Sequence, residues 1–177
     1  MTARTFVIAF LAALLLAMPL AAAGDDQQEQ IVLEETLDVS FGRVWAGVKK
    51  AMEIKGCSKP EVEKVIEPAE EGGQYKGLYK SDYCILVTGE DSTKTVMERY
   101  GELPRIRMAI WTTGRIKYFI NVKELENRKA KITLKAQLSG YEEYITSQVY
   151  FWNSNGILER EMMALIIKMA SEAKTSE

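Results

Sequence analysis

Apolar side chains recur every three or four residues in two segments of the chain, a spacing that is typical of one face of an α-helix. In the first segment they are Phe41, Val44, Trp45, Val48 and Met52. Ser40 is a suitable N-cap for that helix, and Gly56 is a suitable residue to end it. A second helix is predicted over about 155–172 with Ser154 or Asn153 as its cap, and its apolar face comprises Ile157, Leu158, Met162, Leu165, Ile166 and Met169.

Strand patterns occupy most of the chain outside these helices. A first strand is expected at about 30–38, a weak strand at 62–66, and two strands joined near Ser81 within 74–89. One or two helical turns are predicted within 91–100. Three further strands follow, separated by turns at 112–114 and 126–128, because apolar and polar residues alternate along them. Their apolar faces contain Ile106, Met108 and Ile110, then Ile116, Tyr118, Ile120 and Val122, and finally Ile132, Leu134, Ala136 and Leu138.

This order of elements predicts an α+β fold. We expect a curved antiparallel sheet of about six or seven strands wrapped around a long C-terminal helix, with a short helix after the first strand. Residues 31–173 are predicted to form this single domain, because the segment contains no internal repeat, linker or low-complexity stretch.

The N-terminus has the pattern of a secretory signal peptide. Arg4 is followed by an apolar run that ends in small residues of the kind that signal peptidase accepts, so residues 1–23 form the predicted signal peptide. We expect cleavage after Ala23, a periplasmic or secreted protein, a flexible leader at 24–30 and a short tail at 174–177. The alternative is an N-terminal membrane anchor, because the run approaches the roughly 20 apolar residues that span a bilayer.

The composition argues against several classes of function. The chain has 23 basic and 25 acidic residues and a net charge of −2, which gives no support for nucleic-acid binding. It contains no His, which removes His-based triads, His general bases and nearly all catalytic zinc sites. The one S-x-x-K match, Ser171 to Lys174, is at the C-terminus and is attributed to chance, no G-x-S-x-G is present, and the run from Gly89 to Lys94 lacks the second Gly of a phosphate loop. We therefore predict a non-catalytic protein without a metal site or cofactor.

The two cysteines of the chain are Cys57 and Cys84. An exported compartment is oxidising and favours a disulfide between them. Such a bond is worth roughly 3–4 kcal/mol in the chain-entropy model. The alternative is two buried free thiols. A metal site is less favoured, because two thiolates without any His leave a zinc ion short of ligands.

The segment 38–52 also resembles a known family. Its sequence, Asp-Val-Ser-Phe-Gly-Arg-Val-Trp-Ala-Gly-Val-Lys-Lys-Ala-Met, resembles the first helix of the START and birch-pollen-allergen superfamily, where a short polar–aromatic start precedes a Val-Trp pair. It also resembles the helix-grip modules of BamC-like envelope lipoproteins, although this chain lacks their lipid-carrying Cys beside the cleavage point. The resemblance implies a helix-grip scaffold that either holds an apolar ligand between sheet and helix or docks a protein on its surface.

Two sets of residues are candidates for a binding site. Bulky side chains on the predicted concave face would line an apolar pocket or, alternatively, fill a solid core. They are Trp45, Met108, Tyr118, Met162 and Met169. Basic residues on the outward face predict a positive patch for an anionic surface or an acidic partner; the alternative is an ordinary solvated sheet face. The patch comprises Arg105, Arg107, Arg115 and Lys117, with Lys123, Lys131 and Lys135 on the same strands.

Two hypotheses for the function follow. The first is an exported, non-catalytic binding module of the cell envelope that holds a lipid-like or other apolar ligand between the sheet and the C-terminal helix. The alternative is an envelope protein-interaction or assembly factor with a filled core and no ligand. The expected partner is thus an apolar small molecule or an envelope protein, and not nucleic acid. We expect no stable membrane span after cleavage, and a monomer or weak oligomer.

Overall fold

A computed structural model describes residues 30–70 and 72–173 of the chain. The predicted signal peptide, almost all of the predicted leader and the predicted tail lie outside the described residues. In chain order, the elements are β1 (Leu33–Leu37), α1 (Phe41–Ile54), β2 (Pro60–Ile66), β3 (Lys76–Ser81), β4 (Cys84–Thr88), α2 (Glu90–Tyr100), β5 (Trp111–Glu124), β6 (Ala130–Glu142), β7 (Gln148–Asn153) and α3 (Ile157–Glu172).

The seven strands form one antiparallel sheet built around the hairpin of β5 and β6. These strands have 14 and 13 residues, and each is long enough to pair with two shorter strands in succession. Beside the hairpin turn, β6 pairs with β1, and β5 pairs with β3, which pairs with β2. We call this the near half of the sheet. In the far half, β6 pairs with β7 and β5 pairs with β4. The prediction of an α+β fold with an antiparallel sheet and a C-terminal helix is confirmed.

The two halves meet where Tyr118 of β5 lies opposite Ala136 of β6. At this level the pairing with each outer neighbour has ended, so the outward amide of each residue needs another acceptor. Side chains supply both acceptors. The Tyr118 amide donates to Ser81 Oγ at 2.9 Å, and the Ala136 amide donates to Glu159 Oε1 at 3.0 Å. Because Glu159 belongs to α3, the second bond ties the C-terminal helix to the middle of the sheet.

The helices cover one face of the sheet, which we call the inner face. Trp45 of α1 lies over Gly77 of β3, where an added Cβ would be 2.5 Å from the indole ring. In the same way Met97 of α2 lies over Gly114 of β5. Helices α1 and α3 also pack closely on each other. The alternating residues predicted to form the apolar faces of β5 and β6 are all buried: Ile116, Tyr118, Ile120, Val122, Ile132, Leu134, Ala136 and Leu138.

The helix ends differ in part from the sequence prediction. Helix α1 ends at Ile54, and Gly56 follows it with φ of 70°, as expected for the residue that terminates a helix. The amides of Gly56 and Cys57 donate to the carbonyls of Glu53 and Met52. The residue that precedes α3 is Gly156 in the left-handed conformation, so the predicted caps are wrong. The hydroxyl of Ser154 instead donates to Glu159 at 2.7 Å inside the buried base of that helix.

The segment before β5 is also a correction. Residues 105–110 do not form a strand: Met108 has φ of 61° and its side chain is 77% exposed. Residues 112–114 are not a turn but part of β5, where they pair with β4 and β6. Thr112 and Thr113 favour extended structure, and Gly114 leaves room for the Met97 side chain. The predicted turn between two strands at 112–114 is therefore wrong, because the strand continues through it.

Cys57 and Cys84 form the predicted disulfide, with a Cα–Cα distance of 5.3 Å. Both cysteines are buried. The bond joins the end of α1 to the start of β4, and the neighbouring Tyr79 hydroxyl donates to the Cys57 carbonyl at 3.3 Å. It therefore anchors an edge strand of the far half to the helical layer.

Candidate functional site

The face of the sheet opposite the helices is the candidate site, and we call it the open face. Each of the three helices contacts the inner face. Helix α1 lies over Gly77, α2 lies over Gly114, and Glu159 of α3 accepts a hydrogen bond from the Ala136 amide. Side chains alternate along a strand, so residues next to those buried positions point the other way. In β5 and β6 these residues include Arg115, Lys117, Lys135 and Ser139.

The predicted basic patch does not assemble as expected. Arg105 and Arg107 lie in the loop before β5 and not on a strand, and Arg105 pairs with Glu102 at 3.0 Å. Lys117 is on the open face but only 7% exposed, because it donates to Glu61. Arg115 is the one of the four main patch residues that is both on the sheet and exposed. The separation follows from the missing strand at 105–110.

Lys117 belongs to a cluster that joins β2 to the centre of the open face. Glu61 accepts hydrogen bonds from Lys117 and, at 2.7 Å, from Lys80. These two bonds hold the pKa of the Glu61 carboxyl below its usual value. The Lys117 ammonium also lies 4.6 Å from the ring centre of Tyr83, whose hydroxyl donates to Gln137. The cluster is internally satisfied, so its role is to fix the strands that border the far half.

Most other lysines of the predicted patch are also engaged. Lys131 pairs with Glu34 at 2.7 Å, and Lys135 donates to Gln30 at 3.1 Å while it also lies over the ring of Phe119. These contacts leave little free positive charge at the corresponding positions of the near half. The near half is nevertheless mixed in character, because Ile66 and Leu78 pair with Lys76 and Asn121 on the same face and are 47% and 37% exposed.

The far half of the open face is different. One row of directly paired residues crosses four strands, and side chains of paired residues lie on the same face. It runs from Ile85 through Arg115 and Ser139 to Phe151. Ile85 is 65% exposed and Phe151 is 54% exposed, while Val149 in the adjacent row is 49% exposed. Large apolar side chains therefore flank an arginine at both edges of this half.

A pocket of about 140 Å³ lies in the centre of the row, and we call it the Arg115 pocket. Its lining combines one guanidinium, three hydroxyl-bearing side chains and one apolar wall. The lining residues are Thr113, Arg115, Ser139, Gly140, Tyr141 and Val149. The side chain of Arg115 has no hydrogen bond or ion pair with any residue that the structure describes. The donors of its guanidinium are thus available to a ligand.

A buried carboxylate shapes the loop that delivers β7 to this site. Glu142, at the end of β6, accepts the amides of Ile110, Ile145 and Thr146 and the hydroxyl of Thr146. Burial by itself raises the pKa of Glu142, but these hydrogen bonds outweigh it and lower the pKa to about 2. The carboxylate therefore stays charged and holds the 143–147 loop in shape, which fixes the position of Val149.

The five residues predicted to line a cavity do not all lie together. Trp45, Tyr118 and Met162 are buried in the core, and Met169 is half-buried on α3. Burial raises the pKa of the Tyr118 hydroxyl. Met108 lies apart from them, because the segment predicted to be a strand is a loop; it lines a surface pocket of about 240 Å³ with Lys94 and Pro104.

The residues that make the far half distinctive are not among the predicted site residues. No strand is predicted after Leu138, whereas the structure has β7 at Gln148–Asn153. The signal was present, since Val149 and Phe151 alternate with Tyr150 and Trp152 and the second pair faces the inner side. Ile85 and Ser139 gave no local signal, because their importance depends on pairing between strands far apart in sequence.

The described part of the chain provides few other kinds of site. No helix within residues 30–70 and 72–173 has the length and apolar character to cross a membrane. Within the same ranges, no group of three or more His, Cys, Asp and Glu residues is arranged to hold a metal ion. The geometry therefore defines an α+β domain with one helix-covered face and one open face, whose far half has exposed apolar side chains at both edges.

Known proteins resemble this chain in structure but not in sequence. No protein family model and no curated protein matches the sequence. Among solved structures, the chain is similar to a DUF4468 family protein from Bacteroides ovatus, with 10% identity, a TM-score of 0.35, and coverage of 84% of this chain and 90% of the other. It is also similar to a hypothetical protein from Helicobacter pylori, with 8% identity, a TM-score of 0.33, and coverage of 97% and 100%. Both TM-scores are too low to establish a common fold.

Proposed function

We propose that this chain is an exported, non-catalytic interaction module of the cell envelope that docks a protein partner on the far half of its open face. The observation that carries the proposal is the pair of exposed apolar side chains, Ile85 and Phe151, at the two ends of the row that contains Arg115. Exposed apolar side chains around a polar centre are typical of protein–protein interfaces. Aromatic and Arg residues are also the types that most often dominate binding energy there.

The edges of the far half support the same function. Strands β4 and β7, with sequences CILVT and QVYFWN, contain no charged residue and no proline. Edge strands that stay exposed usually carry such residues, because they prevent uncontrolled pairing with other chains. A bound partner would give the far half the cover that its own sequence does not provide.

Export is supported by the disulfide and by the apolar run at the N-terminus. Disulfides persist in oxidising compartments such as the periplasm, and the Cys57–Cys84 bond joins two buried cysteines. We propose cleavage after Ala23, as the sequence indicates. A helix-grip relationship is part of the same proposal: α1 follows β1, and α3 closes the inner face through Glu159.

The apolar-ligand hypothesis is the second candidate, and a filled core makes it the weaker one. Met52, Met162, Ile166 and Ala170 are fully buried between the helices and the sheet. At Gly47, an added Cβ would be 2.8 Å from the Ala170 backbone, so α1 and α3 are already in close contact. A retained small apolar molecule, detected by native mass spectrometry of the purified protein, would favour the ligand hypothesis instead.

Photo-crosslinking tests the proposed surface directly. A benzophenone side chain is introduced at Ile85 or at Phe151 in the full chain and irradiated in the cells that make it. Ile54, which is 53% exposed at the end of α1, serves as a control of similar exposure away from the open face. We expect positions 85 and 151 to give the same adduct, and position 54 to give none.

The captured protein is then identified and purified, and its direct binding is measured. Phe151→Ser should weaken that binding at least tenfold, as expected for an interface anchor, while Ile54→Ser should leave it unchanged. Adducts that form equally from position 54, or no adduct from positions 85 and 151, would overturn the proposal. Unchanged binding by Phe151→Ser would also overturn it.

A further inference from the structure

We infer that the Arg115 pocket binds a carboxylate that a partner protein presents beside an apolar side chain. This inference rests on the proposed function and specifies the chemistry of the partner. It starts from the guanidinium of Arg115, which is exposed and makes no ion pair or hydrogen bond within the described ranges. The guanidinium presents a planar fork of donors that matches a carboxylate in a bidentate arrangement.

The lining of the pocket suits an anion with oxygen atoms. Thr113, Ser139 and Tyr141 bring hydroxyl groups to its wall, and no acidic residue lines it. Hydroxyls can donate to a bound oxygen atom, and the absence of a carboxylate in the wall avoids repulsion. Glu61, the acidic residue of β2 that reaches the centre of the open face, is already occupied by Lys117 and Lys80. The site therefore has a positive centre without a competing internal anion.

The size and walls of the pocket favour a protein carboxylate over a free ion. A volume of about 140 Å³ is several times the ~30 Å³ that one water occupies in the liquid, so the pocket can hold a carboxylate with the carbons next to it. One wall is Val149, and Phe151 and Ile85 adjoin the pocket in register with Ser139 and Arg115. A ligand with apolar atoms beside its carboxylate would bury these exposed side chains, whereas inorganic phosphate would not.

NMR titration with small probes tests this chemistry. Acetyl-phenylalanine presents a chain-terminal carboxylate, and acetyl-phenylalanyl-glutamyl amide presents a side-chain carboxylate. Acetyl-phenylalanine amide and acetyl-phenylalanyl-glutaminyl amide are matched controls without the charge. The signals followed are the Arg115 side-chain N–H and the backbone amides of Ser139 and Gly140 in the purified protein.

We expect at least one carboxylate probe to shift these signals with millimolar affinity, and both uncharged controls to bind at least tenfold more weakly. The stronger of the two carboxylates identifies whether the site prefers a chain end or an acidic side chain. Arg115→Gln should reduce the affinity about tenfold or more, and Arg115→Lys should have an intermediate effect because it keeps the charge and loses the fork. Arg107 is an exposed arginine in the loop before β5, and the Arg107→Gln variant should bind the carboxylate probes like the wild type.

Several results would overturn the inference. They are no shift with either carboxylate, equal binding of the uncharged controls, equal binding of inorganic phosphate, or an equal loss in Arg107→Gln. The crosslinking experiment separates this failure from failure of the proposed function. If positions 85 and 151 still capture a partner that binds directly while the carboxylate probes do not bind, the surface is correct and the assigned chemistry is wrong.

Discussion

Replacement of Glu159 by alanine tests how the two halves of the sheet are joined. The buried carboxylate of Glu159 accepts the Ala136 amide at 3.0 Å and the Ser154 hydroxyl at 2.7 Å. Removing it leaves the amide without an acceptor in a buried position, which costs about 1–3 kcal/mol, and the lost hydroxyl bond costs about 1 kcal/mol more. We therefore expect Glu159→Ala to reduce the free energy of unfolding by about 2–4 kcal/mol.

Urea denaturation followed by circular dichroism measures this change. Glu159→Gln is the matched control, because its amide oxygen can still accept the Ala136 amide and its volume is almost the same. The glutamine variant should lose less than half as much stability as the alanine variant. Ser81→Ala, which removes the acceptor of the Tyr118 amide on the other edge, should cost about 1–3 kcal/mol by the same mechanism. The reasoning would be refuted if the free energy of unfolding of Glu159→Ala were within about 0.5 kcal/mol of the wild-type value.

Two further predictions concern the helical layer and the loop before β7. Gly47→Ala should destabilise the protein by about 1–3 kcal/mol in urea, because the new Cβ would meet the Ala170 backbone at 2.8 Å, whereas Gly42→Ala, with nothing within 4 Å, should not destabilise it. Equal effects of the two substitutions would contradict the close helix contact. The pKa of Glu142 is about 2 in the folded protein against 4.5 ordinarily, so its stabilising contribution is complete above pH 4.5 and is lost as the pH falls towards 2. Unfolding measured at several pH values should show a shallower loss for Glu142→Gln, and an unchanged slope would rule out this role.

Local periodicity predicted the parts of the fold in which one face alone decides the structure. The spacing of Phe41, Val44 and Val48 fixes α1, and all three are buried in the structure. The alternation in β5 and β6 predicted the inner face residue by residue. The disulfide was predictable because the chain has two cysteines and the sequence predicts export to an oxidising compartment.

The same patterns failed where the backbone departs from regular geometry. Ile106, Met108 and Ile110 alternate like a strand, but Met108 adopts a positive φ of 61°, which ends any extended structure there. Alternation cannot reveal such a conformation. Gly114 was also misleading, because a glycine is typical of a turn. In the structure Gly114 lies within a continuous strand, and the lack of a side chain leaves room for Met97.

The candidate site could not be predicted from the sequence, because it depends on strand register and on ion pairs across the sheet. Arg115 and Lys117 are two residues apart on one strand, and the sequence treats them alike. The structure separates them, because an irregularity in β2 between Pro60 and Val62 brings Glu61 to Lys117, while nothing acidic reaches Arg115. Their different roles follow from non-local pairing and not from local sequence.

The break in the middle of the sheet explains why only one half of the open face is suited to binding. In the near half, the outer strands β1 and β2 supply Glu34 and Glu61, which neutralise lysines of β3, β5 and β6. In the far half the outer strands are β4 and β7, and their open-face side chains include Ile85 and Phe151 but no acid. An exposed positive charge between apolar edges costs little in water and becomes useful when a partner excludes water, because charge-assisted hydrogen bonds strengthen as the local dielectric falls. The exchange of outer strands at Tyr118 and Ala136 thus divides a sheet with one continuous hairpin into a half where acidic residues neutralise lysines and a half where Arg115 stays unpaired, which is the surface proposed to meet a partner.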